Sequence, residues 1–144
     1  MTSYYTETYI TEWEDKDNVI ISMWHCEDTT NDPIQVGVVE LAVYKNGEHQ
    51  DEALVWNLYV DEPHRRKGLA QRLLTEAHKT AKHLGAKTVV LEWSLKESPY
   101  WVIEWYTRQG YDEKEFSNVY ALMKKELCTA QETIKMCNEI HTIS

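Results

Sequence analysis

A short basic segment, residues 65–68 (RRKG), lies between an apolar run and an amphipathic pattern in a chain that is otherwise acidic. The apolar run, residues 53–60 (ALVWNLYV), has the β-branched and aromatic content of a strand. After it, Leu69, Leu73 and Ala77 recur every four residues, which predicts a helix over residues 68–84. Backbone N–H groups at the start of a helix have no intrahelical partner and carry partial positive charge, so they attract anions. The order of strand, basic loop and helix therefore predicts a phosphate site.

The residue types in this segment suit a diphosphate. Gly68 would let the backbone approach the ligand closely, and the small side chain of Ala70 would leave the start of the helix uncrowded. Arg65, Arg66 and Lys67 would add charge-assisted contacts. The segment has neither the GxxxxGK[ST] pattern of a P-loop nor the GxGxxG pattern of a dinucleotide-binding fold. An ordinary solvated basic turn is the alternative interpretation.

Length and composition limit the possible classes of protein. A chain of 144 residues predicts one domain, and 42% hydrophobic and 27% charged residues are typical of a globular protein. A formal charge of -9 argues against nucleic acid as a partner, because phosphate contacts need a basic surface. No apolar run approaches the roughly eighteen residues of a membrane span, and the acidic N-terminus does not resemble a signal peptide. The cysteines follow no disulfide or zinc pattern, so we expect a cytoplasmic protein without a metal site.

The pattern of apolar residues predicts a mixed α/β fold. Strands are predicted at residues 4–13, 18–26, 34–44, 53–60, 87–94, 111–116 and 118–124. The first four are expected to form an antiparallel meander, in which the third strand ends at the hairpin signal Asn46-Gly47. The fifth (KTVVLEWS) is short and continuously apolar in its centre, which is typical of a strand buried on both faces.

Two more helices are predicted besides the one at residues 68–84. One begins after the capping pair Ser98-Pro99 and ends at Gly110, and a polar one begins near Glu126. We therefore expect residues 1–144 to form a single domain in which residues 126–144 are a C-terminal helical extension.

Taken together, these segments resemble the GNAT-type N-acetyltransferase superfamily. The family pattern V-x(4)-[RQ]-x-x-G-x-[GA] lies at a strand–loop–helix junction, and Val60, Arg65, Gly68 and Ala70 fill its positions here. Downstream, VVLEWS resembles the family's L-E-V strand, WYTRQGYDE its Y-x-x-x-G-F segment and YALMKKEL its closing Y-x-x-M strand. The residues that carry these three likenesses include Tyr106, Gly110, Tyr111, Tyr120 and Met123. The resemblance covers residues 34–127, and the ordered set of motifs is more specific than any one of them.

The resemblance implies a central, mostly antiparallel mixed sheet with flanking helices. Its fourth strand would splay from the next, parallel strand where acetyl-CoA binds. The pantetheine arm would pair with Leu58, Tyr59 and Val60, and the N–H of Val60 would stabilise the thioester oxyanion. The diphosphate would be held by the loop and the first helical turn, residues Arg65, Arg66, Lys67, Gly68, Leu69 and Ala70.

The sequence departs from the family's pattern on the acceptor side. The family has two helices after its first strand, and they form part of the acceptor site. Here only residues 14–18 (EDKDN) separate the first two predicted strands, so the two helices are expected to be absent. Pro99 and Ile103 also stand where the family often has Asn and Ala. The cofactor half is therefore expected to be complete and the acceptor half reduced.

The resemblance also implies catalytic roles. Tyr106 would be the general acid that protonates the departing thiolate, since a phenol stays protonated at neutral pH. A packed helix aromatic is the alternative for this residue. An alkylammonium acceptor must lose a proton before it attacks, and Glu92, on the strand beside the splay, is the preferred general base. Glu40, Asp51 and Glu52 are competing carboxylates.

The function expected from the sequence is transfer of an acetyl group from acetyl-CoA to a primary amine, by direct attack in a ternary complex. The acceptor amine belongs to a small molecule, a peptide or a protein, and its identity stays open. A non-catalytic module that binds CoA or acetyl-CoA on the same fold is the alternative. We also expect a homodimer in which the C-terminal tails or aromatic edges border the two sites, with an open monomer as the alternative. The six tryptophans are expected in the core, and an interface is the alternative for them.

Overall fold

The computed structural model describes residues 3–27, 32–94, 101–116 and 120–127. Its strands are β1 Ser3–Glu12, β2 Lys16–Cys26, β3 Ile34–Tyr44, β4 Glu52–Val60, β5 Thr88–Ser94, β6 Asp112–Phe116 and β7 Tyr120–Glu126. Its α-helices are α1 Leu69–His83 and α2 Trp101–Arg108. Every predicted strand is present, and each end lies within two residues of its predicted position.

The strands form one sheet in the order β1-β2-β3-β4-β5-β7-β6. Neighbouring strands are antiparallel except β4 and β5, which run parallel because α1 carries the chain back between them. The predicted meander of the first four strands and the mixed α/β class are therefore confirmed.

The first two strands are joined directly. Three residues separate β1 from β2, and the N–H of Trp13 donates to the carbonyl of Lys16 at 2.9 Å across the turn. The two strands then pair along ten residues. No helix lies between β1 and β2, as the short polar segment predicted. The connection between these two strands therefore does not cover either face of the sheet.

One face of the sheet, the covered face, packs against both helices. Its buried apolar layer contains alternate residues of the central strands, namely Val19, Ile21, Met23, Val39, Leu41, Val43, Ala53, Val55, Val89 and Leu91. The helices contribute Leu69, Leu73, Leu74, Ala77 and Ala81 from α1, and Ile103 and Tyr106 from α2. The spacing of three and four residues in α1 produces one apolar stripe, and its burial fixes the helix on the sheet.

The opposite face, the open face, is covered by neither α1 nor α2. Because side chains alternate along a strand, its members are the sequence neighbours of the core residues. Tyr9, Ile20, Trp56 and Tyr59 are 55, 43, 42 and 48% exposed. Glu92 of β5 is also exposed. The prediction that β5 is buried on both faces is therefore wrong, because neither described helix packs on this side.

The predicted C-terminal helix does not begin at Glu126. This residue instead ends β7, where it pairs with Thr88 of β5. A strand residue thus stands where the first helical turn was expected. Residues 128–144 and the capping pair Ser98-Pro99 lie outside the described residues.

Gly37 of β3 is packed tightly beneath α1. A β-carbon there would lie 3.1 Å from Cδ1 of Leu73 and 3.1 Å from the carbonyl oxygen of Tyr59. We predict that Gly37→Ala lowers the free energy of unfolding by about 1–3 kcal/mol, because the added methyl group overpacks the core. Urea denaturation followed by tryptophan fluorescence measures the change.

Gly47→Ala is the control for this substitution. Gly47 lies in an exposed turn with φ 86°, and a β-carbon there would meet no atom within 4 Å. Its replacement therefore adds only backbone strain, about 1 kcal/mol, without a packing penalty. A loss of stability in Gly37→Ala no larger than about 0.5 kcal/mol would show that the core accommodates the methyl group.

Candidate active site

The pairing between β4 and β5 ends early. The two strands pair only over residues Glu52–Val55 of β4. Beyond that point β4 stays paired with β3 as far as Val60, and β5 stays paired with β7 as far as Ser94. The facing edges of the two central strands therefore separate and leave a gap, as the resemblance implied.

A β-bulge turns β4 away from a regular path where the gap begins. The register with β3 shifts between Val38 and Glu40, so β4 has one more residue than β3 in this stretch. Asn57 has a left-handed backbone, with φ 57°, which asparagine tolerates better than most residues. Its Nδ2 donates to Oε2 of Glu40 at 2.7 Å, so a bond between the two strands holds the bulge. A bulge bends its strand and increases the local twist, which gives the separation of β4 from β5 a physical cause.

The last residue of β4 presents its backbone to the gap. The N–H of Asp61 donates to the carbonyl of Val36 at 2.7 Å, and successive residues of an extended strand point their amides to opposite sides. The N–H and C=O of Val60 therefore point away from β3. Arg65 Nε donates to the Val60 carbonyl at 2.7 Å, and its guanidinium lies 5.3 Å from the centroid of the Tyr59 ring. Arg65 thus braces the end of β4 with its side chain.

The predicted phosphate loop connects β4 to α1. A 3-10 turn over Glu62–His64 leads into it, and Arg66 and Gly68 then have left-handed φ angles of 65° and 77°. A non-glycine residue in this region costs on the order of 1–3 kcal/mol and is typical of functional loops. Arg72 N–H donates to the Gly68 carbonyl at 3.1 Å as the first helical bond, so the N–H groups of residues 69–71 lack a helical partner. No side chain of the described residues caps this helix, which leaves its amides available to an anion.

A cavity of about 280 Å³ opens beside the start of α1. Its lining consists of Thr6, Gly68, Gln71, Arg72, Thr75 and Glu76. Because Thr6 belongs to β1, the cavity lies on the side of α1 that faces the edge strand. Arg72 donates to the carbonyl of Tyr4 at 3.3 Å, and the hydroxyl of Tyr4 lies 3.0 Å from Nδ1 of His64. These contacts fasten β1 to the loop and to the first turn of α1.

Helix α2 brings Tyr106 into the core beside α1. The side chain is 8% exposed, and its ring makes edge contacts with Trp105 and Tyr111 at centroid distances of 5.0 and 5.6 Å. The hydroxyl of Tyr111 lies 2.6 Å from Nε2 of His78 on α1. Three rings, those of Tyr106, Tyr111 and His78, therefore link the two helices.

Burial sets the protonation state of these rings. It raises the pKa of Tyr106 to about 12 and also raises the pKa of Tyr111, because a buried phenolate loses its hydration. Burial lowers the pKa of His78 to about 4, and the positive charge of Lys125 acts in the same direction. At neutral pH both phenols keep their protons and the imidazole is uncharged. Tyr106 can therefore serve as a proton donor and not as a base.

The two candidate catalytic side chains lie on opposite faces of the sheet. Tyr106 belongs to the core of the covered face. Glu92 is exposed on the open face, one residue past the last pair of β4 with β5. The sheet therefore separates a buried phenol on one face from an accessible carboxylate on the other.

The competing carboxylates are placed differently from one another. Asp51 and Glu52 lie at the start of β4, so about 25 Å of extended strand separates them from Val60. Each is also close to a neighbouring basic side chain. Glu40 lies opposite Trp56 on the open face. Glu92 thus lies on a strand that borders the gap, and Glu40 lies on the next strand beyond β4. Asp51 and Glu52 lie at the other end of β4, away from the gap.

The profile of the Acetyltransferase (GNAT) family matches residues 1–111. The match covers more than half of the chain and includes the splayed strands, the phosphate loop and Tyr106. The chain belongs to the GNAT acetyltransferase family. In this GNAT protein the matched range contains the strand–loop–helix junction that was predicted from the sequence to bind the diphosphate.

Solved structures share the fold of this GNAT protein. The PaiA N-acetyltransferase of Thermoplasma acidophilum, in complex with coenzyme A, aligns with a TM-score of 0.58 and 20% identity over 75% of this chain and 61% of that one. A Bacillus anthracis protein solved with acetyl coenzyme A aligns with a TM-score of 0.61 and 18% identity over 76% of this chain and 62% of that one. An acetyltransferase from Bacillus cereus has a TM-score of 0.56 and 18% identity over 86% of this chain and 74% of that one.

At these identities the likeness shows the fold alone. This chain also spans less than two thirds of the Thermoplasma acidophilum and Bacillus anthracis proteins. Comparison with curated protein sequences gave no match. Neither helix in the described part of the chain has the length and apolar character needed to cross a membrane.

Two parts of the site were not identified from the sequence. The bulge was missed because residues 53–60 were interpreted as a regular strand, although a polar asparagine that tolerates positive φ was a signal for it at position 57. The contact of His78 with Tyr111 had no such signal, because the two residues are 33 positions apart and meet only when both helices pack on the sheet.

His78 should make the protein sensitive to acid. Its pKa is lowered from 6.5 to about 4 in the folded state, so folding disfavours its protonation. Its contribution to stability is therefore complete above about pH 6.5 and is lost as the pH falls towards 4. We expect a loss of about 2 kcal/mol after allowing for solvent screening of the partly exposed ring. Urea denaturation between pH 7 and pH 4 measures this loss.

His78→Gln isolates this effect, because glutamine cannot ionise but keeps a hydrogen-bond acceptor for Tyr111. The variant should lose less stability than the parent over the same pH range. His83→Gln, which replaces an exposed histidine of the same helix, should behave as the parent does. If the free energy of unfolding of His78→Gln falls with pH as steeply as that of the parent, burial of His78 is not the source of the acid sensitivity.

Proposed function

We propose that this GNAT protein transfers an acetyl group from acetyl-CoA to a primary amine, by direct attack of the amine in a ternary complex. The observation that carries the proposal is the gap between β4 and β5, which has uncapped helix amides beyond one end and an accessible carboxylate on the open face. Family membership supports acyl transfer. The relatives solved with coenzyme A and acetyl coenzyme A support the choice of acyl donor.

The residues around the gap fit acetyl-CoA. A β-carbon on Gly68 would meet no atom within 4 Å, so a diphosphate has room to approach the backbone there. The exposed side chains of Arg66 and Lys67 supply positive charge, and the amides of residues 69–71 supply donors. The outward N–H of Val60 is available to the pantetheine arm or to the thioester oxygen. Acetyl-CoA, when bound, supplies an activated acyl group to this edge.

Tyr106 is the proposed proton donor to the sulfur. With a pKa of about 12 it keeps its proton throughout the physiological range. A thiol ionises near a pKa of about 8.5, so donation from a phenol in this dry environment is uphill. Polar groups of a bound ligand would replace part of the lost hydration and reduce this difference. The role of Tyr106 thus depends on entry of the ligand into the gap.

Glu92 is the proposed base for the incoming ammonium. Its carboxylate is exposed on the open face beside the gap, so it can accept a proton directly or through one water molecule. The amine would then approach from the open face while the acyl donor occupies the edge of β4. This arrangement needs no covalent acyl-enzyme.

A binding module without turnover is the second candidate. The burial of Tyr106 and its raised pKa favour it, because both oppose proton donation. The two candidates share the cofactor site and differ only in whether acetyl transfer follows binding. Acetyl transfer to a panel of amines therefore separates them.

We predict that acetyl-CoA stabilises the fold through the loop at Gly68. At one hundred times the dissociation constant the gain should be about 2.7 kcal/mol. Gly68→Glu should abolish it, because a carboxylate would occupy the position of the diphosphate. Thermal unfolding with and without acetyl-CoA measures both effects.

Gly47→Glu is the matched control for Gly68→Glu. Both glycines have positive φ, 86° and 77°, and neither has an atom within 4 Å of an added β-carbon. The two variants therefore introduce the same charge and similar backbone strain. Retention of the acetyl-CoA effect in Gly68→Glu would place the diphosphate elsewhere.

We predict that Tyr106→Phe lowers kcat by a factor of about 10² to 10⁴ while the affinity for acetyl-CoA stays nearly unchanged, because one proton donor is lost. Tyr111→Phe is the control, since it removes a neighbouring buried hydroxyl that bonds to His78. It should reduce stability more than kcat. Steady-state kinetics with each variant, together with acetyl-CoA binding, give the comparison. Equal kcat for Tyr106→Phe and the parent would remove Tyr106 from the mechanism.

A further inference from the structure

Three aromatic rings from separate parts of the chain meet beside the phosphate loop, residues 65–68. Tyr4 belongs to β1, His25 to β2 and His64 to the 3-10 turn that leads into the loop. The register pairs Tyr4 with His25, so their side chains lie on the same face of the sheet. Their rings stack with centroids 4.6 Å apart, and the ring of His25 lies 4.9 Å from that of His64. None of the three has a role in the proposed function.

His25 contributes a stacking surface to this cluster. Its side chain is 5% exposed, and its Nδ1 has no hydrogen-bond partner within the described part of the chain. Its Nε2 faces the other way, 3.9 Å from Oε1 of Glu27. The contact with Tyr4 is therefore one of ring against ring, with 30° between the two planes. A buried ring against the phenol restricts its rotation, so the hydroxyl of Tyr4 is held where it meets His64.

Tyr4 bonds to both ends of the phosphate loop. At the entrance its hydroxyl lies 3.0 Å from Nδ1 of His64, which directly precedes the loop. At the exit its backbone carbonyl accepts from Nη2 of Arg72, in the first turn of α1, at 3.3 Å. One residue of the edge strand therefore spans the segment in which Arg66 and Gly68 have left-handed φ angles.

The hydroxyl of Tyr4 supplies the long-range bond of this segment. Within the described part of the chain, every other hydrogen bond of residues 62–68 joins positions at most five apart. Such local bonds shape the turn but do not fix its position relative to the sheet. A left-handed arginine persists only where the surrounding structure holds it, and Arg66 is the strained residue here. The bond from Tyr4 to His64, 60 positions along the chain, provides that support.

We propose that Tyr4 is a positioning residue for acetyl-CoA, which acts through His64 to hold the phosphate loop in the conformation that accepts the diphosphate. A loop fixed before the ligand arrives loses less conformational freedom on binding, so the affinity rises. Tyr4 lies on the edge strand, and β2 and β3 separate it from β4 and the gap. It should therefore affect binding of the cofactor and leave the chemical step unchanged. The proposal rests on the proposed function, because it requires the loop to bind the diphosphate.

Tyr4→Phe tests the hydroxyl. The variant keeps the ring that stacks on His25 and the carbonyl that accepts from Arg72. Its dissociation constant for coenzyme A, measured by calorimetry, should rise about fivefold, the equivalent of one hydrogen bond. In steady-state kinetics KM for acetyl-CoA should rise by the same factor, while kcat equals that of the parent.

Tyr9→Phe is the matched control. It makes the same change on the same strand, where the exposed hydroxyl of Tyr9 donates to Glu7. This variant should bind coenzyme A as the parent does. Weakening equal to that of Tyr4→Phe would overturn the proposal, because a general effect on β1 would then explain both results.

His64→Leu tests whether Tyr4 acts through His64. Alone it should weaken coenzyme A binding at least about fivefold, because the same bond is lost. Adding Tyr4→Phe to His64→Leu should cause no further weakening, since the bond can be lost only once. Two independent fivefold effects would instead multiply to about twenty-fivefold, and that result would overturn the proposal.

Amide hydrogen exchange tests the loop without a ligand. The backbone N–H groups of His64, Arg65 and Arg72 are hydrogen-bonded at the two ends of the loop, so their exchange reports its opening. Exchange should be about fivefold faster in Tyr4→Phe than in Tyr9→Phe. Equal rates in the two variants would overturn the proposal.

The outcomes separate this role from the proposed function. Weaker binding of coenzyme A by Tyr4→Phe, in a protein that acetylates none of the amines in the panel, would support the role and overturn the transfer. Acetyl transfer with equal coenzyme A affinity in Tyr4→Phe and the parent would support the transfer and overturn the role. A loss confined to kcat would also overturn it, because Tyr4 would then act on the chemical step.

Discussion

The early end of pairing between β4 and β5 is the constraint on which the rest of the structure depends. Unpaired backbone groups between two central strands are costly unless another group bonds them. Arg65 takes up the Val60 carbonyl, and the Val60 N–H stays turned to the gap. The bulge at Asn57, held by Glu40, bends β4 away from β5. The bulge and the early end of pairing therefore give the gap a cause in the geometry of the chain.

The two candidate catalytic side chains, Tyr106 and Glu92, lie on opposite faces of the sheet. On the covered face, α1 and α2 enclose Tyr106 in an apolar core, which keeps its phenol protonated. On the open face, which neither α1 nor α2 covers, Glu92 is exposed to water. The two candidate catalytic side chains thus lie in different dielectric surroundings, because they belong to opposite faces of the sheet.

The arrangement of the helices also affects the stability of the fold. Because α1 and α2 cover only one face of the sheet, their apolar contacts lie in a single layer. Each close contact in that layer therefore contributes a larger share of the free energy of unfolding. Gly37 beneath Leu73 and the rings of His78 and Tyr111 are such contacts.

The amino-acid sequence by itself determined the strands, the two described helices, the mixed sheet and the loop between β4 and α1. These depend on local periodicity and on residue types at short spacing, such as Gly68 directly before an amphipathic stripe. Only the tertiary structure decided that Glu92 is exposed rather than buried and that Asn57 meets Glu40 seventeen positions away. It also decided that Tyr106 and Glu92 lie on opposite faces. The physical reason is that register, bulges and helix packing depend on contacts between residues distant in the chain, which no local pattern specifies.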